Sequence, residues 1–448
     1  MTTILEYLKK NGYSPADDET MQKIAEWADW YEGYVKSFHH YDVYNGIAVV
    51  GKDRHTLGMA KTIAEDWANL LLNEKVNIST GTEFDKVVEA VFEYNNFRVK
   101  GTQLVELVFA LGTGAFVEYK DASGEVVIDF IRAGMIYPLS WDNGYINECA
   151  FGSTRERNGE KQYYIQIHKL GEGKTYVIEN HIVDVDSGAD MELDNGMAGF
   201  VETGSETPLF QVISPNIVNN VDIDSPFGIS VYGNAISQLK GCDIVYDSYI
   251  NEFELGKKRI MVPISMAKIE MGKEGSTGRP VFDNNELVFY ALPENKSPNA
   301  VNKIETFDPK IRASEHDIGI NKALDLLSFK CGMGSGRYKF ENGVVKTATE
   351  VISDKSELYQ SLSKHKIVLE SALKSMVRVI AFLKGKEVDN IAVDFDDSII
   401  QDSDAEREQD RKDVAMGVMS HWEYRMKYYH ETKEEALEML PSRADVVV

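Results

Sequence analysis

Residues 332–385 read GMGSGRYKFENGVVKTATEVISDKSELYQSLSKHKIVLESALKSMVRVIAFLKG, and the fold turns on this run. Leu358, Leu362, Leu369, Leu373, Met376, Ile380 and Leu383 recur at about the 3.6-residue helical period, with His365 the polar member of the stripe. One amphipathic helix with one buried face follows. Thr347 and Glu350 open it as a capping box, in which hydroxyl and carboxylate each satisfy an amide of the first turn. Gly385 stands where a C-terminal cap belongs. The pattern predicts a helix over 347–384, about 38 residues or ~57 Å at 1.5 Å per residue. That exceeds the common range and suits a scaffolding element of a large assembly. Ahead of it Gly332, Gly334 and Gly336 break the chain, and 337–346 forms a short linker with a turn at Asn342-Gly343.

Upstream, Ile236, Leu239, Cys242, Tyr246, Ile250 and Phe253 predict a helix over 230–258, after turn chemistry at Asp224-Ser225-Pro226-Phe227-Gly228. Another helix is predicted over 312–330. Between them, 260–309 reads as short strands and loops, with a turn at Asp283-Asn284-Asn285 and Pro293, Pro298 and Pro309. A small β module is thus inserted between two helices that lie side by side, at their shared end. The N-terminal block is helical. Met21, Ile24, Trp27, Ala28, Tyr31 and Val35 mark one helix, and Leu57, Ala60, Ile63, Ala64, Trp67, Leu70 and Leu71 another. Further helices are expected over 84–97 and 103–111. A β-rich block follows at 115–119, 126–131, 148–153, 163–168 and 176–185, punctuated by Ser123-Gly124, Asn143-Gly144 and Asn158-Gly159. Asn-Gly between strands is a strong hairpin signal, because both turn positions need positive φ. Residues 187–207 read as an exposed loop. After the long helix come a strand over 391–395, an acidic stretch, and short helices near 406–418 and 433–440. The fold class is mixed α+β.

The 448 residues suggest about three domains. Hydrophobic residues make up 43% and charged residues 27%, which excludes wholesale disorder. Lys plus Arg is 48 against 72 Asp plus Glu, a formal net charge of −24. A gripping nucleic-acid binder needs a basic face, so that class is disfavoured. A protein that lets DNA pass without holding it is not. Three cysteines, Cys149, Cys242 and Cys331, lie far apart with no CxxC, which fits a reducing compartment better than a disulfide framework or a zinc ribbon. The N-terminus lacks the basic-then-apolar pattern of a secretory signal. The most apolar stretch, 107–117, is far shorter than the ~20 residues that span a bilayer. The expectation is a soluble chain without a membrane segment.

Catalytic constellations are sparse. There is no GxxxxGK[ST] phosphate cradle. Gly332-Met333-Gly334-Ser335-Gly336 follows a helix, not a strand, so it is no dinucleotide fingerprint. Gly228-Ile229-Ser230-Val231-Tyr232-Gly233 misses the GxSxG nucleophile elbow by one residue and reads as a turn opening a helix. His39-His40 cannot share one helix face and reads as a surface pair, and no HExxH occurs. His365 reads as a hydrogen-bonded core or interface histidine. Asp394, Asp396, Asp397, Asp402 and Asp404 offer hard-cation oxygens but lack the EF-hand glycine and terminal glutamate, so the default is a solvated acidic face, with no metal or cofactor expected. Lys257, Lys258 and Arg259 end the first paired helix. They suit either its C-terminal dipole or a basic collar that meets phosphate or an acidic partner. Arg337, Lys339 and Lys346 punctuate the glycine-flanked linker, in isolation an ordinary solvated loop.

Taken together, these elements resemble the portal proteins of tailed bacteriophages, in the branch of siphophage-like heads. The resemblance rests on Thr347-Ala348-Thr349-Glu350-Val351 continuing into Ser353-Asp354-Lys355-Ser356-Glu357-Leu358, on Ile311-Arg312 with Ile320-Asn321-Lys322-Ala323-Leu324, and on Trp67-Ala68-Asn69-Leu70-Leu71-Leu72-Asn73-Glu74-Lys75. Ser225-Pro226-Phe227-Gly228 and the late Asp402, Gly417, Ser420 and Glu434-Glu435-Ala436 extend it to about residues 57–440. Order and spacing carry it; no single motif does.

The resemblance implies a cyclic ring, usually of twelve subunits, at one capsid vertex in the virion, made in the host cytoplasm. Double-stranded DNA would pass through it in packaging, retention and ejection. The implied parts are an N-terminal wing (1–229), a first stem helix (230–259), a clip (260–311), a second stem helix (312–333), a tunnel loop (334–346), a long wing helix (347–385) and a short C-terminal wing or crown (386–448). The implied partners are the terminase large subunit, which is the separate motor ATPase, head-completion or adaptor proteins, and the major capsid and scaffolding proteins. No catalysis is implied. Arg337, Lys339 and Lys346 are expected to touch passing DNA. Lys257, Lys258 and Arg259 are expected at the collar, and the stripe Leu358, Leu362, Leu369, Leu373, Met376 and Ile380 in ring assembly. Two rivals stand beside this reading: a capsid-associated adaptor or scaffold without a channel, and a metal-dependent nuclease using the Asp394–Asp404 carboxylates.

Overall fold

Apolar stripes on seven helices and one face of a small sheet converge on one core, and chain order decides which surfaces are left over. The structure, a computed structural model, describes residues 3–16, 19–44, 46, 48–73, 76–121, 123–157, 159–194, 196–263, 268–270, 279–281, 289–292, 303–340, 348–395, 403–429 and 433–439. Helix α1 (Ile4–Lys10) opens on a capping box between Thr3 and Glu6. Helix α2 (Glu19–Glu32) buries Ile24, Trp27 and Trp30. The short α3 (Lys36–His39) leads into the hairpin β1 (His40–Tyr44) and β2 (Val49–Asp53). Helix α4 (Met59–Leu71) buries the stripe Ala60, Ile63, Ala64, Trp67 and Leu71. Strand β3 (Asn77–Ser79) precedes α5 (Asp85–Tyr94) and α6 (Phe97–Leu111).

Two antiparallel sheets follow. Strands β4 (Gly114–Lys120) and β5 (Val126–Arg132) pair through Ser123-Gly124. Strands β6 (Ile136–Asp142), β7 (Tyr145–Arg157), β8 (Glu160–Leu170) and β9 (Tyr176–Asp184) form a meander. Asn143 and Gly144, both at positive φ, make the two-residue turn from β6 to β7. The short β10 (Asp190–Met191) and β11 (Phe200–Glu202) line the far edge of β9. Strand β12 (Phe210–Ile213) returns to the free edge of β4.

Helix α7 (Ile236–Leu255) then leads out to β13 (Arg259–Pro263), β14 (Lys268–Glu270), β15 (Arg279–Val281), β16 (Phe289–Leu292) and β17 (Glu305–Phe307). In this module β13 is central, parallel to β16 and antiparallel to β17. Helix α8 (Ala313–Lys330) comes back antiparallel to α7: Arg312 forks onto Glu252 near the end of α7, and Gly319 faces Val245. Helix α9 (Ala348–Leu383) spans 36 residues. Strand β18 (Ala392–Asp394) then pairs with β3, and α10 (Ser403–Ala415), α11 (His421–Tyr429) and α12 (Lys433–Glu438) end the described chain.

One core gathers Trp67 of α4, Phe109 of α6, Leu239 of α7, Leu324 and Leu327 of α8, and Leu373 and Ile380 of α9. A close backbone crossing locks the strand block to the paired helices. A Cβ on Gly228 would lie 2.4 Å from the Gly112 carbonyl oxygen, and one on Gly112, at φ +87, would lie 2.7 Å from that of Gly228. Only glycine fits on both sides.

The structure departs from the sequence reading at defined places. The helix expected over 84–97 stops at Asn95, and Asn96 at φ 48 turns the chain so that α6 begins at Phe97, not at residue 103. Strand β6 was not expected; Pro138 lies inside it, and the pairing slips between Pro138 and Ser140. Two short strands occupy the segment read as a loop over 187–207. Helix α7 begins at Ile236, after a single 3-10 turn, not at 230. Helix α11 and the hairpin β1–β2 carried no expectation. Thr347 of the capping box and the turns at Asn342-Gly343, Asn158 and Asp283-Asn284-Asn285 lie outside the described residues, as do Pro293 and Pro298.

Candidate functional site at the junction of the paired helices and the long helix

Three glycines set the path of the chain beyond α8. Gly332, Gly334 and Gly336 have φ of +77, +73 and +83, where side chains cost steric strain. The chain therefore folds back along α8 instead of leaving it. Asn321, Asp325 and Ser328 form a helical stripe that holds it. Gly336 N–H donates to Asp325 Oδ1 at 2.7 Å, Phe340 N–H to Asn321 Oδ1 at 2.8 Å, and Ser328 Oγ–H to the Gly334 carbonyl at 2.6 Å. Met333 is buried.

Arg337 completes the attachment. Its guanidinium forks onto the Asp66 carboxylate of α4, and Tyr338 O–H donates to the same carboxylate at 3.0 Å. The hydrogen bond to Asp66 raises the Arg337 pKa further above its ordinary range. Lys339 Nζ lies 3.5 Å from Asp325. Both cations singled out for phosphate contact thus have carboxylate partners inside the subunit, at side chains only 28% and 29% exposed. The solvated loop read from sequence is instead a gripped one. Lys346 lies outside the described residues. Exposed Phe340 ends the described part.

The Lys257, Lys258 and Arg259 run sits where α7 gives way to β13. Arg259 Nη2 donates to the Leu255 carbonyl at 3.3 Å, so one of the three does cap the helix C-terminus. Lys258 lies 3.5 Å from Asp308, and Lys257 is exposed. Below them Arg312 and His316 converge on Glu252, and the Arg312 hydrogen bonds lower its pKa to about 2.

The apolar stripe of α9 packs inward. Leu358, Leu362, Leu369, Leu373, Met376 and Ile380 are all buried within the subunit, the last three completely. Side chains that fill the subunit's own core have no surface left to offer a neighbour. The outward face of the helix carries Tyr359, Ile367 and Phe382 instead.

His365 bears out the reading of a hydrogen-bonded core histidine. The Asn216 amide donates to its Nδ1 at 3.0 Å, and its ring stands edge-on to Trp67 and Phe109. Burial lowers its pKa to about 3, so it is neutral. Trp67 Nε1–H in turn donates to the Cys331 carbonyl at 3.3 Å. A chain of contacts therefore links α9, α4 and the first residue of the loop.

His39-His40 is a correction. His40 is exposed and meets Asp53, but His39 is fully buried. The Val35 amide donates to His39 Nδ1 at 2.7 Å, which leaves Nε2–H to donate to Asp243 at 3.1 Å. Asp243 also accepts the Leu57 amide, and Asp247, one turn on, accepts the His55 amide. Two buried carboxylates on α7 thus clasp the loop ahead of α4. Sequence reading missed both; an acid repeated at i, i+4 on an otherwise apolar helix face was the available signal.

Ser230 is buried with its hydroxyl donating to the Phe109 carbonyl, consistent with a turn and not with a nucleophile. Among the described residues no group of three or more His, Cys, Asp or Glu side chains is placed to hold a metal; Asp396, Asp397 and Asp402 lie outside them. The cysteines are free and buried. No helix among the described residues is long and apolar enough to cross a membrane.

The chain is similar to solved structures titled "Virion of native gene transfer agent (GTA) particle" (11% identity, 93% of this chain and 96% of that one, TM-score 0.45) and "Neck of empty GTA particle computed with C6 symmetry" (12% identity, 93% and 95%, TM-score 0.46). A third is "Neck of native GTA particle computed with C12 symmetry" (12% identity, 82% and 87%, TM-score 0.42). No curated protein matches it. The family model described as "Phage portal protein, SPP1 Gp6-like" matches residues 12–445, nearly the whole length, and the chain therefore belongs to that portal family.

Proposed function

We propose that this chain is the repeating subunit of a portal ring, without a catalytic step of its own and built to let duplex DNA through one capsid vertex. The observation that carries this reading is the family match over residues 12–445, on a chain whose paired helices α7 and α8 bracket a strand module. On this reading α7 and α8 are the stem, residues 260–311 the clip, residues 334–346 the tunnel loop, α9 the long wing helix, and the remainder the wing and a short crown. Twelve subunits is the expected count. The clip would receive the terminase large subunit and later a head-completion protein, and the wing would face the capsid and scaffolding proteins. The absence of a phosphate-binding loop motif in the sequence agrees with a motor on a separate chain. The ring would assemble in the host cytoplasm and remain in the virion.

The charge balance suits passage. A subunit at −24 makes a ring that repels phosphates over roughly a Debye length, ~8 Å at physiological salt. Each cation that does pair with a phosphate adds about −0.9 to the log–log salt slope of binding. Arg337 and Lys339, already held by Asp66 and Asp325, would exchange partners with a passing phosphate and so touch DNA without gripping it. Lys346 and the Lys257, Lys258 and Arg259 collar are proposed contacts of the same kind. The test is an Arg337→Ala/Lys339→Ala double variant in a packaging system. Rings of normal mass with reduced packaging or retention support the assignment; unchanged packaging and retention reject it.

A further inference from the structure

Among the described residues the hairpin β1–β2 pairs with no further strand. Val43 pairs with Val50, and Tyr44 with Val49. Directly opposed residues share a face, and neighbours along a strand alternate. One face of the tip therefore carries Val43 and Val50, and the other Tyr44 and Val49. All four are open to solvent, Tyr44 at 67% and Val49 at 65%. The base is fixed, because the Arg54 guanidinium stacks on Phe38 and Tyr41 and both Tyr34 and His40 bond Asp53. A two-stranded hairpin on its own is marginal in water. One that is apolar on both faces needs a slot with two walls.

The molecule carries such a slot elsewhere. A cleft of about 620 Å³ runs between the outward face of α9 and the β6–β7 turn. Ile367, Ser371 and Ser375 form one wall at four-residue steps, and Tyr145 and Ile146 form the other. Ile367 is 64% exposed and Tyr145 76%. The two serines are small enough to admit a backbone. Arg378 is the one charged residue among the described residues of the lining, and Asp42, exposed, directly precedes the apolar tip of the hairpin. Finger and slot thus match in apolar character and are opposite in charge.

We propose that the hairpin of each subunit inserts into the α9 cleft of the next copy, with Asp42 meeting Arg378. The inference rests on the ring reading above and names the surfaces that close it. Finger and slot are different surfaces, so every copy uses both, which is the condition for a head-to-tail ring. It also gives α9 its part in assembly, through the face opposite the buried stripe.

Disulfide trapping in the full-length protein tests this. Val49→Cys or Tyr44→Cys is combined with Ser371→Cys or Ser375→Cys; Tyr44, Val49 and Ser371 are exposed, Ser375 is half-buried in the cleft wall, and the native cysteines are buried. Particle mass is measured before oxidation, then covalent mass on a denaturing, non-reducing gel. The expected result is a ladder of multimers that ends at the ring number for at least one pair and is missing from every single-cysteine variant. Rings with no ladder from any of the four pairs overturn this contact and leave the ring standing. Particles that stay monomeric overturn both.

Discussion

Arg337 lays its guanidinium on the Asp66 carboxylate across 271 positions of sequence, and this pair ties the glycine loop to the N-terminal helical block. Geometry of this kind, planar and two-pronged, is strong, and both partners are largely shielded from water. Asp66→Ala leaves a shielded guanidinium unpaired and is expected to cost about 2 kcal/mol. A double-mutant cycle with Arg337→Ala should give a coupling of about 1–2 kcal/mol by chemical denaturation. Limited proteolysis should show the loop cut faster in either single variant.

The buried stripe of α9 separates folding from assembly. Leu373→Ala removes a fully buried side chain and is expected to cost about 2–5 kcal/mol, read as a lowered unfolding midpoint. Leu369→Asp puts a charge into the same core and should yield unfolded or aggregated chain. Ile367→Asp, on the exposed face, should leave circular dichroism and unfolding midpoint unchanged.

Gly228 should tolerate no side chain. Its Cβ would collide with the Gly112 carbonyl and with Ser214 Cβ, at 2.4 and 2.5 Å. Gly228→Ala is expected to cost about 3 kcal/mol by thermal or chemical unfolding. Gly124→Ala is the control for turn strain alone, because open space surrounds that position.

Two buried histidines make the fold acid-sensitive. Burial lowers His365 and His168 to about 3 in the folded chain, against 6.5 when exposed. The unfolded chain therefore binds more protons below pH 6.5, and stability falls as pH drops from there toward 3. Each histidine should account for about 3 kcal/mol between pH 7 and pH 4. His365→Gln should flatten that part of a stability–pH curve.

Glu118 acts with the opposite sign. It is fully buried and accepts the Gln211 side-chain amide at 3.2 Å, and burial holds its pKa well above the usual carboxylate range. Glu118 Oε1 and Gln211 Oε1 have no hydrogen-bond partner among the described residues, which suits a neutral carboxyl better than a carboxylate. The folded chain then binds the extra proton, so stability is lost as pH rises above 4.5 toward the raised value. Glu118→Gln should remove that loss, seen as a smaller fall in unfolding midpoint from pH 5 to pH 8.

Periodicity made the helices legible. Trp67, Ile63 and Leu71 face one core, and so do Leu362, Leu373 and Ile380, and each set announces its face at helical spacing. Hairpin β1–β2 escaped because neither of its faces is buried in the subunit, so no alternation of apolar and polar residues marks it. Strand β6 escaped because Pro138 reads as a breaker. The loop after α8 was legible as a glycine-rich break, but its anchors were not. Asp66 and Asp325 become partners of Arg337 and Lys339 only through the packing of α4 against the rest of the core. The same limit holds for the α9 stripe: apolar spacing gives the buried face but not the molecule that buries it.

Electron microscopy of the purified full-length protein bears most directly on the central claim. The account predicts closed rings of one subunit count with a central hole wide enough for duplex DNA. Monomers or open, unclosed assemblies at every concentration and salt tried would contradict it.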